Sequence, residues 1–335
     1  MHDAGAYPHA CREIDVIETH ISYVMLTGEI AYKIKKPVSF PFVDFSTLEM
    51  RRQSCHDELR LNRRLAQQLY LEVVPIGGTP QRPRVGATPA IEYAVAMVQF
   101  DPEQTLDKLL RRVAIDPVAI QELAAQIASF HAELDPVDGH APGETALSNL
   151  AALREEIDGS ADRRLAAIGD WLTERAAALA ADFRQRASEG FIRECHGDLH
   201  LGNLVQIGDR IQAFDCIEFN KALRSIDTLD EVAFLFMDFL AHERAHLGFE
   251  FLNRYLERTG DYAGMRVFRF YVVHRALVRA YVRALAVSLR DRNGAQPYLD
   301  LAAELVEPNT PLLVITTGLS GSGKTTVTDA LIGRL

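Results

Sequence analysis

A chain of 335 residues, 48% of them hydrophobic, is long enough for two domains or one large two-lobed one and can supply real cores, which excludes a disordered protein. A formal net charge of -10 excludes a broad basic face for nucleic acid, which is discounted as the main partner although a local basic groove fits inside an acidic protein. Cys11, Cys55, Cys195 and Cys216 lack metal-ligand spacing, no cationic-then-apolar leader opens the chain, and no apolar run approaches the ~20 residues of a membrane span, so a soluble cytoplasmic protein with reduced thiols and no membrane partner is expected.

Residues 15–19, 22–27 and 29–35 are rich in β-branched and aromatic types, with turn signals at His20-Ile21 and Thr27-Gly28, which predicts a three-strand meander. The last strand reads Ile30-Ala31-Tyr32-Lys33, matching in type the Val-Ala-Ile-Lys strand whose lysine grips nucleotide phosphates in kinases. Lys33 is the candidate for that role. Lys35 lies on the same strand face by the period of two and is the reserve, while a pair of solvated edge-strand lysines is the competing reading. Ser46-x-x-Glu49 reads as a capping box, and Leu48, Leu59, Leu61, Leu65 and Leu69 carry a long helix to about residue 69. Glu58, in its middle, is the candidate for orienting the strand lysine; Asp57 and Glu72 are poorer choices. Residues 71–76 and 91–99 read as two more strands, separated by a loop at 77–89 whose glycines and prolines interrupt a ladder. Five strands and one helix then make a small lobe over residues 1–98.

From Asp116-Pro117, an N-cap followed by proline in the first turn, an amphipathic helix runs to about residue 134. A loop at 135–143, a short helix at 147–157 and an alanine-rich one at 163–187 follow. The chain then reads Arg193-Glu-Cys-His196-Gly-Asp198-Leu-His-Leu-Gly-Asn203, a turn near Gly208-Asp209, and Ile211-Gln-Ala-Phe-Asp215-Cys-Ile-Glu-Phe-Asn220. This is a strand, a loop with an acid and an amide, a return strand, and a second acid. Phosphoryl transfer needs such a set: one carboxylate receives the proton of the attacking hydroxyl, while an amide and a second carboxylate hold magnesium on the nucleotide phosphates. Asp198 is the candidate base, Asn203 and Asp215 are the candidate metal ligands, and ATP with Mg2+ is expected. A His-x-Asp-x-x-x-x-Asn match arises by composition in on the order of one chain in a hundred, so the strand leading into the second acid carries the reading.

After Asn220 the pattern is helical over 225–243, 245–258, 262–290 and 296–306, completing a larger lobe over 99–308. Only about a dozen residues lie between Asp215 and Asp227, and no Ala-Pro-Glu follows, so a peptide-binding activation segment has no room and a small-molecule acceptor is expected. Glu218, Asp227, Asp230, Glu231 and Asp238 either line an acidic pocket for a cationic acceptor or form solvated faces and helix-start carboxylates. Beyond the break at Pro308 to Pro311, residues 312–316 read as a buried strand feeding Gly318-Leu-Ser-Gly321-Ser-Gly323-Lys324-Thr325. That is a P-loop, in which glycine amides cradle phosphates, Lys324 reaches the β/γ-phosphates and Thr325 binds magnesium. No parallel strand follows to bury the first, so residues 309–335 read as the truncated start of an α/β P-loop domain, whose amides are not preorganised.

The run from His196 to Asn203, followed by Phe214 to Asn220, resembles the aminoglycoside phosphotransferase and choline kinase branch of the protein-kinase-like fold, over about residues 10–305. Within that branch it looks closest to a bacterial subgroup in which such a domain precedes a P-loop ATP-binding domain of AAA type. The resemblance implies an α+β, two-lobed fold with a small five-stranded N-lobe and a helical C-lobe, an adenine-facing hinge at Met97 to Phe100, a glutamate within Glu58-Leu-Arg-Leu-Asn-Arg-Arg-Leu65, and a Phe130-His131 pair used for packing. The chain departs from the kinase pattern at its first turn, where Thr19-His20-Ile21-Ser22 replaces Gly-x-Gly-x-x-Gly and hydroxyls with backbone amides would have to cover the phosphates. The function read from these parts is an ATP- and Mg-dependent phosphotransferase acting on a hydroxyl of a small-molecule acceptor. The alternatives are a non-catalytic nucleotide-binding module regulating an attached P-loop ATPase or kinase domain, and a tail-driven ATPase.

Overall fold

The computed structural model describes residues 1, 3–11, 13–40, 43–113, 115–139, 142–157, 162–286, 294–308 and 314–332. In chain order the elements begin with β1 (Asp15–Glu18), β2 (Ser22–Leu26), β3 (Ile30–Lys35), a short pair β4 (Ser39–Phe40) and β5 (Val43–Asp44), and α1 (Leu48–Ala66). Next come β6 (Tyr70–Thr79), β7 (Arg82–Val85), β8 (Ala90–Val98), α2 (Leu106–Leu109), α3 (Pro117–Glu133), α4 (Pro142–Glu156), α5 (Arg163–Ala178) and α6 (Ala180–Ser188). Short strands follow: β9 (Ile192–Glu194), β10 (Leu204–Ile207), β11 (Arg210–Ala213) and β12 (Ser225–Asp227). The remainder is helical: α7 (Thr228–Ala241), α8 (Ala245–Thr259), α9 (Met265–Ala286), α10 (Gln296–Val306) and α11 (Lys324–Ile332). The chain divides into one unit of Met1–Leu109, His196–Asp198 and Gly202–Arg224, and another of Leu110–Cys195, Leu199–Leu201 and Ser225–Leu335.

The first unit is an antiparallel sheet of order β1-β2-β3-β8-β6-β7 with α1 on one face. Strand periodicity sorts its two cores. Ala94 and Ala96 of β8 join Met25, Tyr32, Ile34, Ile76, Ala6 and Tyr7 on one side, whereas Val95 and Met97 join Cys55, Ala66, Leu69, Tyr70 and Val205 on the other. The same alternation in β3 sends Lys33 and Lys35 to the α1 side. Each large apolar side chain buried in this way contributes roughly 1.5–3 kcal/mol.

Two expectations for this unit are corrected. The sheet has six strands and not five, because β6 continues to Thr79 and pairs with β7 across residues expected to be loop. Pro83 is tolerated there because β7 is the outer edge, where its missing N–H leaves no ladder bond open. A β-bulge between Ile76 and Gly77 turns the strand, and a Cβ on Gly77 would stand 2.5 Å from the Ala87 carbonyl oxygen. The cap of α1 is Thr47, whose side chain accepts the Met50 amide at 3.2 Å, and not Ser46. Asp44 Oδ1 accepts the Ser46 amide at 2.9 Å, so the next hydroxyl takes the cap position, and Glu49 pairs with Arg52 at 3.2 Å.

The second unit is mainly helical. Asp116 caps α3 through the Val118 amide at 2.9 Å, with Pro117 in the first turn as expected. The predicted helix at 163–187 breaks at Leu179 into α5 and α6, and residues 225–227, predicted as helix, form β12 paired with β9. Asp227 ends that strand and caps α7 through the Leu229 amide at 2.9 Å. Residues 228–239 are buried all round, so the acids of this segment form no solvated face. Arg186 holds Asp227 at 2.6 and 2.8 Å and also Asp261 at 2.8 Å. Arg275 holds Asp230 at 2.7 Å, His131 holds Glu231 at 2.7 Å, and Tyr298 donates to Asp238 at 3.0 Å. Buried carboxylates keep their charge only with such partners.

The buried strand expected at 312–316 is not formed over its described residues, and 312 and 313 lie outside them. Val314 is 59% and Ile315 71% exposed, and among the described residues no strand pairs with them. Among the described residues no helix is long and apolar enough to cross a membrane.

Candidate active site

A hairpin assembles the polar residues of the 196–218 stretch within the first unit. β10 and β11 pair Leu204 with Ala213 and Ile207 with Arg210, so Asn203 and Phe214 face each other just beyond the ladder. The Phe214 amide donates to the Asn203 carbonyl at 3.0 Å, and Asp215 follows directly. Asn203 Nδ2 donates to Asp198 Oδ2 at 2.8 Å and to the Asp198 carbonyl at 3.0 Å, joining the amide to the first acid. His196 braces both. Its Nδ1 accepts the Asp198 amide at 3.3 Å, so a neutral ring carries its proton on Nε2, which donates to the Phe214 carbonyl at 3.0 Å. Gly197 is required between them: its φ is +87°, and a Cβ would stand 3.0 Å from Arg224 Cβ.

Asp215 itself has φ 60°, a left-handed conformation that costs a non-glycine residue on the order of 1 kcal/mol. Two hydrogen bonds hold it there. Its amide donates to the Tyr70 hydroxyl oxygen at 3.1 Å, and the Cys216 amide donates to Asn62 Oδ1 at 2.8 Å. Asn62 Nδ2 in turn donates to the Glu58 carbonyl at 2.9 Å, so α1 carries Glu58 and also pins the Asp215 loop.

Lys33 Nζ bonds Asp215 Oδ1 and lies 2.9 Å from Glu58 Oε1. Lys35 Nζ bonds Glu58 Oε2 and Glu218 Oε1, and Ser54 Oγ donates to Glu218 Oε1 at 3.4 Å. Both lysines sit on Glu58, on an interior strand, which overturns the solvated-edge reading. They differ in access: the Lys33 side chain is 12% exposed and that of Lys35 is 0%.

Burial opposes the charge on Lys33, but Asp215 and Glu58 outweigh it and hold the ammonium well above the usual lysine range. Burial likewise opposes charge on Glu58, yet Lys33 and Lys35 pull its carboxyl down from 4.5 to about 2. Glu218 goes the other way, because burial and the neighbouring Glu58 carboxylate together exceed the pull of Lys35. A depressed folded-state value means that the Glu58 contribution to stability is full above about 4.5 and is lost as pH falls towards about 2. Glu58→Gln is therefore expected to cost on the order of 3 kcal/mol at neutral pH and to flatten the acid limb of a denaturant-unfolding series. A variant with the wild-type slope over that window would show that the lysines do not hold this carboxyl.

Asp198, Asn203, Asp215, Lys33, Lys35 and Glu58 thus all belong to one unit. The sequence reading missed three residues of the network. Asn62 had a signal, standing one helical turn after Glu58 on the same face. Glu218 was read as a pocket acid or a solvated one and not as a partner of Lys35, and Tyr70 has no local signal because it meets Asp215 across 145 residues of chain. The hydroxyls expected to cover phosphates are not available: Thr19 Oγ1 accepts the Ser22 amide at 2.9 Å and donates to the Ser22 carbonyl at 3.1 Å, and Ser22 is fully buried. At the expected hinge, the Val98 and Gln99 amides donate to the Leu69 and Glu29 carbonyls at 2.8 Å each.

The P-loop candidates Gly318, Gly321, Gly323, Lys324 and Thr325 belong to the second unit. The glycines have φ of 156°, 78° and 82°, and Lys324 Nζ folds back on the Gly318 and Leu319 carbonyls at 2.9 and 2.7 Å. The Thr325 side chain lies outside what the structure describes. His131 is buried, bonded to the Tyr255 hydroxyl at 2.9 Å and to Glu231 at 2.7 Å, with Cys195 near them. The 2.7 Å separation marks a hydrogen bond, since two ligands of one tetrahedral zinc ion lie roughly 3.3 Å apart.

The donor set of the first unit fits magnesium. Asp215 offers carboxylate oxygens, and Asn203, whose amide nitrogen is taken by Asp198, offers Oδ1; both are hard oxygen donors. The Lys33 ammonium already rests on Asp215, so this carboxylate accepts a cation.

The architecture is that of solved small-molecule kinases. Choline kinase from Cryptosporidium parvum Iowa II aligns with a TM-score of 0.52 at 12% identity, covering 88% of each chain. A thermostable mutant of aminoglycoside phosphotransferase APH(4)-Ia gives 0.52 at 13% identity over 89% of this chain and 94% of that one. Plasmodium vivax ethanolamine kinase gives 0.51 at 11% identity over 88% and 82%. The α+β protein-kinase-like fold, an antiparallel sheet with a helical lobe, is thereby defined. Residues 45–271 match the phosphotransferase enzyme family APH, and the chain belongs to that family. Uncharacterised proteins of Mycobacterium tuberculosis (strain ATCC 25618 / H37Rv) and Mycobacterium bovis (strain ATCC BAA-935 / AF2122/97) are each 32% identical over 334 residues, covering 94% of this chain. The chain spans 64% of the length of these relatives.

Proposed function

We propose that the chain transfers the γ-phosphoryl group of Mg-ATP to a hydroxyl of a small-molecule acceptor. The observation that carries this reading is the joining of Lys33 to both Glu58 and Asp215 in the unit that also holds the Asp198–Asn203 pair. Lys33, oriented by Glu58, neutralises phosphate charge. Asn203 and Asp215 hold magnesium, which when bound supplies charge neutralisation across the phosphates. Asp198 accepts the acceptor's hydroxyl proton as the new oxygen–phosphorus bond forms and the bond to the β–γ bridging oxygen breaks, releasing ADP. Residues 1–98 and 99–308 are assigned to the two lobes of this domain. Residues 309–335, with Gly318 to Thr325, are assigned to the start of a further P-loop domain, a reading supported by the motif and by the greater length of the relatives.

Label transfer from γ-labelled ATP across a panel of amino alcohols, sugars and aminoglycosides tests the activity. The expected result is magnesium-dependent labelling of at least one acceptor. Nucleotide binding with no labelled acceptor would favour the regulatory, non-catalytic reading. Asp215→Ala is expected to abolish thermal stabilisation by Mg-ATP, because the metal loses its charged ligand. Stabilisation that persists in this variant would remove Asp215 from the metal site.

A further inference from the structure

Glu58 is wholly buried, and each of its carboxylate oxygens is held by a different lysine of β3. Asp215, Lys33, Glu58, Lys35 and Glu218 alternate in sign, and the chain of contacts begins and ends on one loop. The helix repeats this pattern: Ser54, Glu58 and Asn62 stand on one face of α1, and they meet Glu218, the two lysines and the Cys216 amide respectively. We infer that Lys35 and Glu218 are positioning residues that clamp Glu58 from the side opposite Lys33, keeping it aligned when Lys33 turns from Asp215 to a nucleotide phosphate. The inference rests on the nucleotide site proposed above.

The physical need is specific. A metal on Asp215 would displace Lys33 from that carboxylate, a phosphate would then compete with Glu58 for the single ammonium of Lys33, and a buried carboxylate left with a weakened partner either takes a proton or swings towards water. Lys35 is sealed from solvent, holds Oε2, and makes its contacts with Glu58 and Glu218. Glu218 offsets the second buried ammonium, and its backbone is fixed by Arg224, which donates to the Ile217 and Glu218 carbonyls at 3.3 Å each. One lysine is thus left open for phosphate while the other keeps the glutamate in place.

The charge-matched variant Lys35→Met/Glu218→Gln tests this. It is measured by calorimetric titration with magnesium and AMP-PNP and by unfolding without ligand, beside wild type and Lys33→Ala. A merely structural ion pair can be replaced by neutral residues of similar size with little change. The expected result is near wild-type unliganded stability with affinity for Mg-AMP-PNP weakened about tenfold. Wild-type affinity in the double variant, with binding lost in Lys33→Ala, overturns the inference alone. Absence of binding by wild type, or wild-type affinity in Lys33→Ala, overturns the nucleotide site and the inference with it. If the double variant does not fold, Glu218→Gln decides. Removing that carboxylate raises local positive charge, so simple electrostatics tightens nucleotide binding, whereas loss of positioning weakens it. Weaker binding supports the inference, and equal or tighter binding overturns it.

Discussion

Asp198→Asn is expected to lower phosphoryl transfer by about two to four orders of magnitude while leaving nucleotide affinity nearly unchanged. The substitution is nearly isosteric, and an asparagine oxygen can still accept from Asn203 Nδ2, which donates to Asp198 Oδ2 at 2.8 Å. The loop keeps its brace as well, because His196 bonds the backbone amide of residue 198 and the Phe214 carbonyl, not the carboxylate. Only the capacity to take a proton is lost. Single-turnover transfer with a labelled acceptor, set beside a calorimetric titration with Mg-ATP, separates the two effects. A fall in affinity equal to the fall in rate would place Asp198 on the nucleotide and not on the hydroxyl.

Lys33→Ala is expected to weaken ATP binding about a hundredfold or more, whereas Lys324→Ala leaves it unchanged in this 335-residue chain. Lys33 is fixed between Glu58 and Asp215, and its loss leaves Asp215 without that cation and Glu58 with Lys35 alone, and removes the charge that would meet the phosphates. Lys324 belongs to the strongest sequence motif in the chain, but a motif binds only when its amides are held in place. Its strand is not formed over residues 314–316, Leu319 is 86% exposed, and the lysine is spent on the carbonyls of its own loop. Titrations of both variants decide the matter. A loss in Lys324→Ala with Lys33→Ala silent would move the working nucleotide site to the P-loop.

What could be read without coordinates was local in origin. The period of two that sends Lys33 and Lys35 to one face, the hairpin turn at Gly208-Asp209 that brings Asn203 to Phe214, and the Asp116-Pro117 cap each depend on residues a few positions apart, where backbone geometry leaves little choice. Local signals could still mislead: Ser46 read as the cap until Asp44 took its amide and Thr47 took the position, and Pro83 read as a loop residue until β7 proved to be an edge.

The division of labour between the lysines lay beyond that range. Lys35 meets Glu218 across 183 residues, Cys216 meets Asn62 across 154, and Asp215 meets Tyr70 across 145. A charged residue's type and spacing announce that it needs a partner, but not which one. The acids that follow Asp215 therefore read as solvated faces and helix-start carboxylates before they read as a pocket for a cation, and packing decided otherwise by giving Asp227, Asp230, Glu231 and Asp238 buried partners on other elements. By itself the sequence offered candidate groups for phosphoryl transfer and placed each on its strand, helix or loop. The tertiary structure decided which lysine stays open and which is sealed, because desolvation forces every buried charge to find an opposite one and the long-range fold alone supplies it.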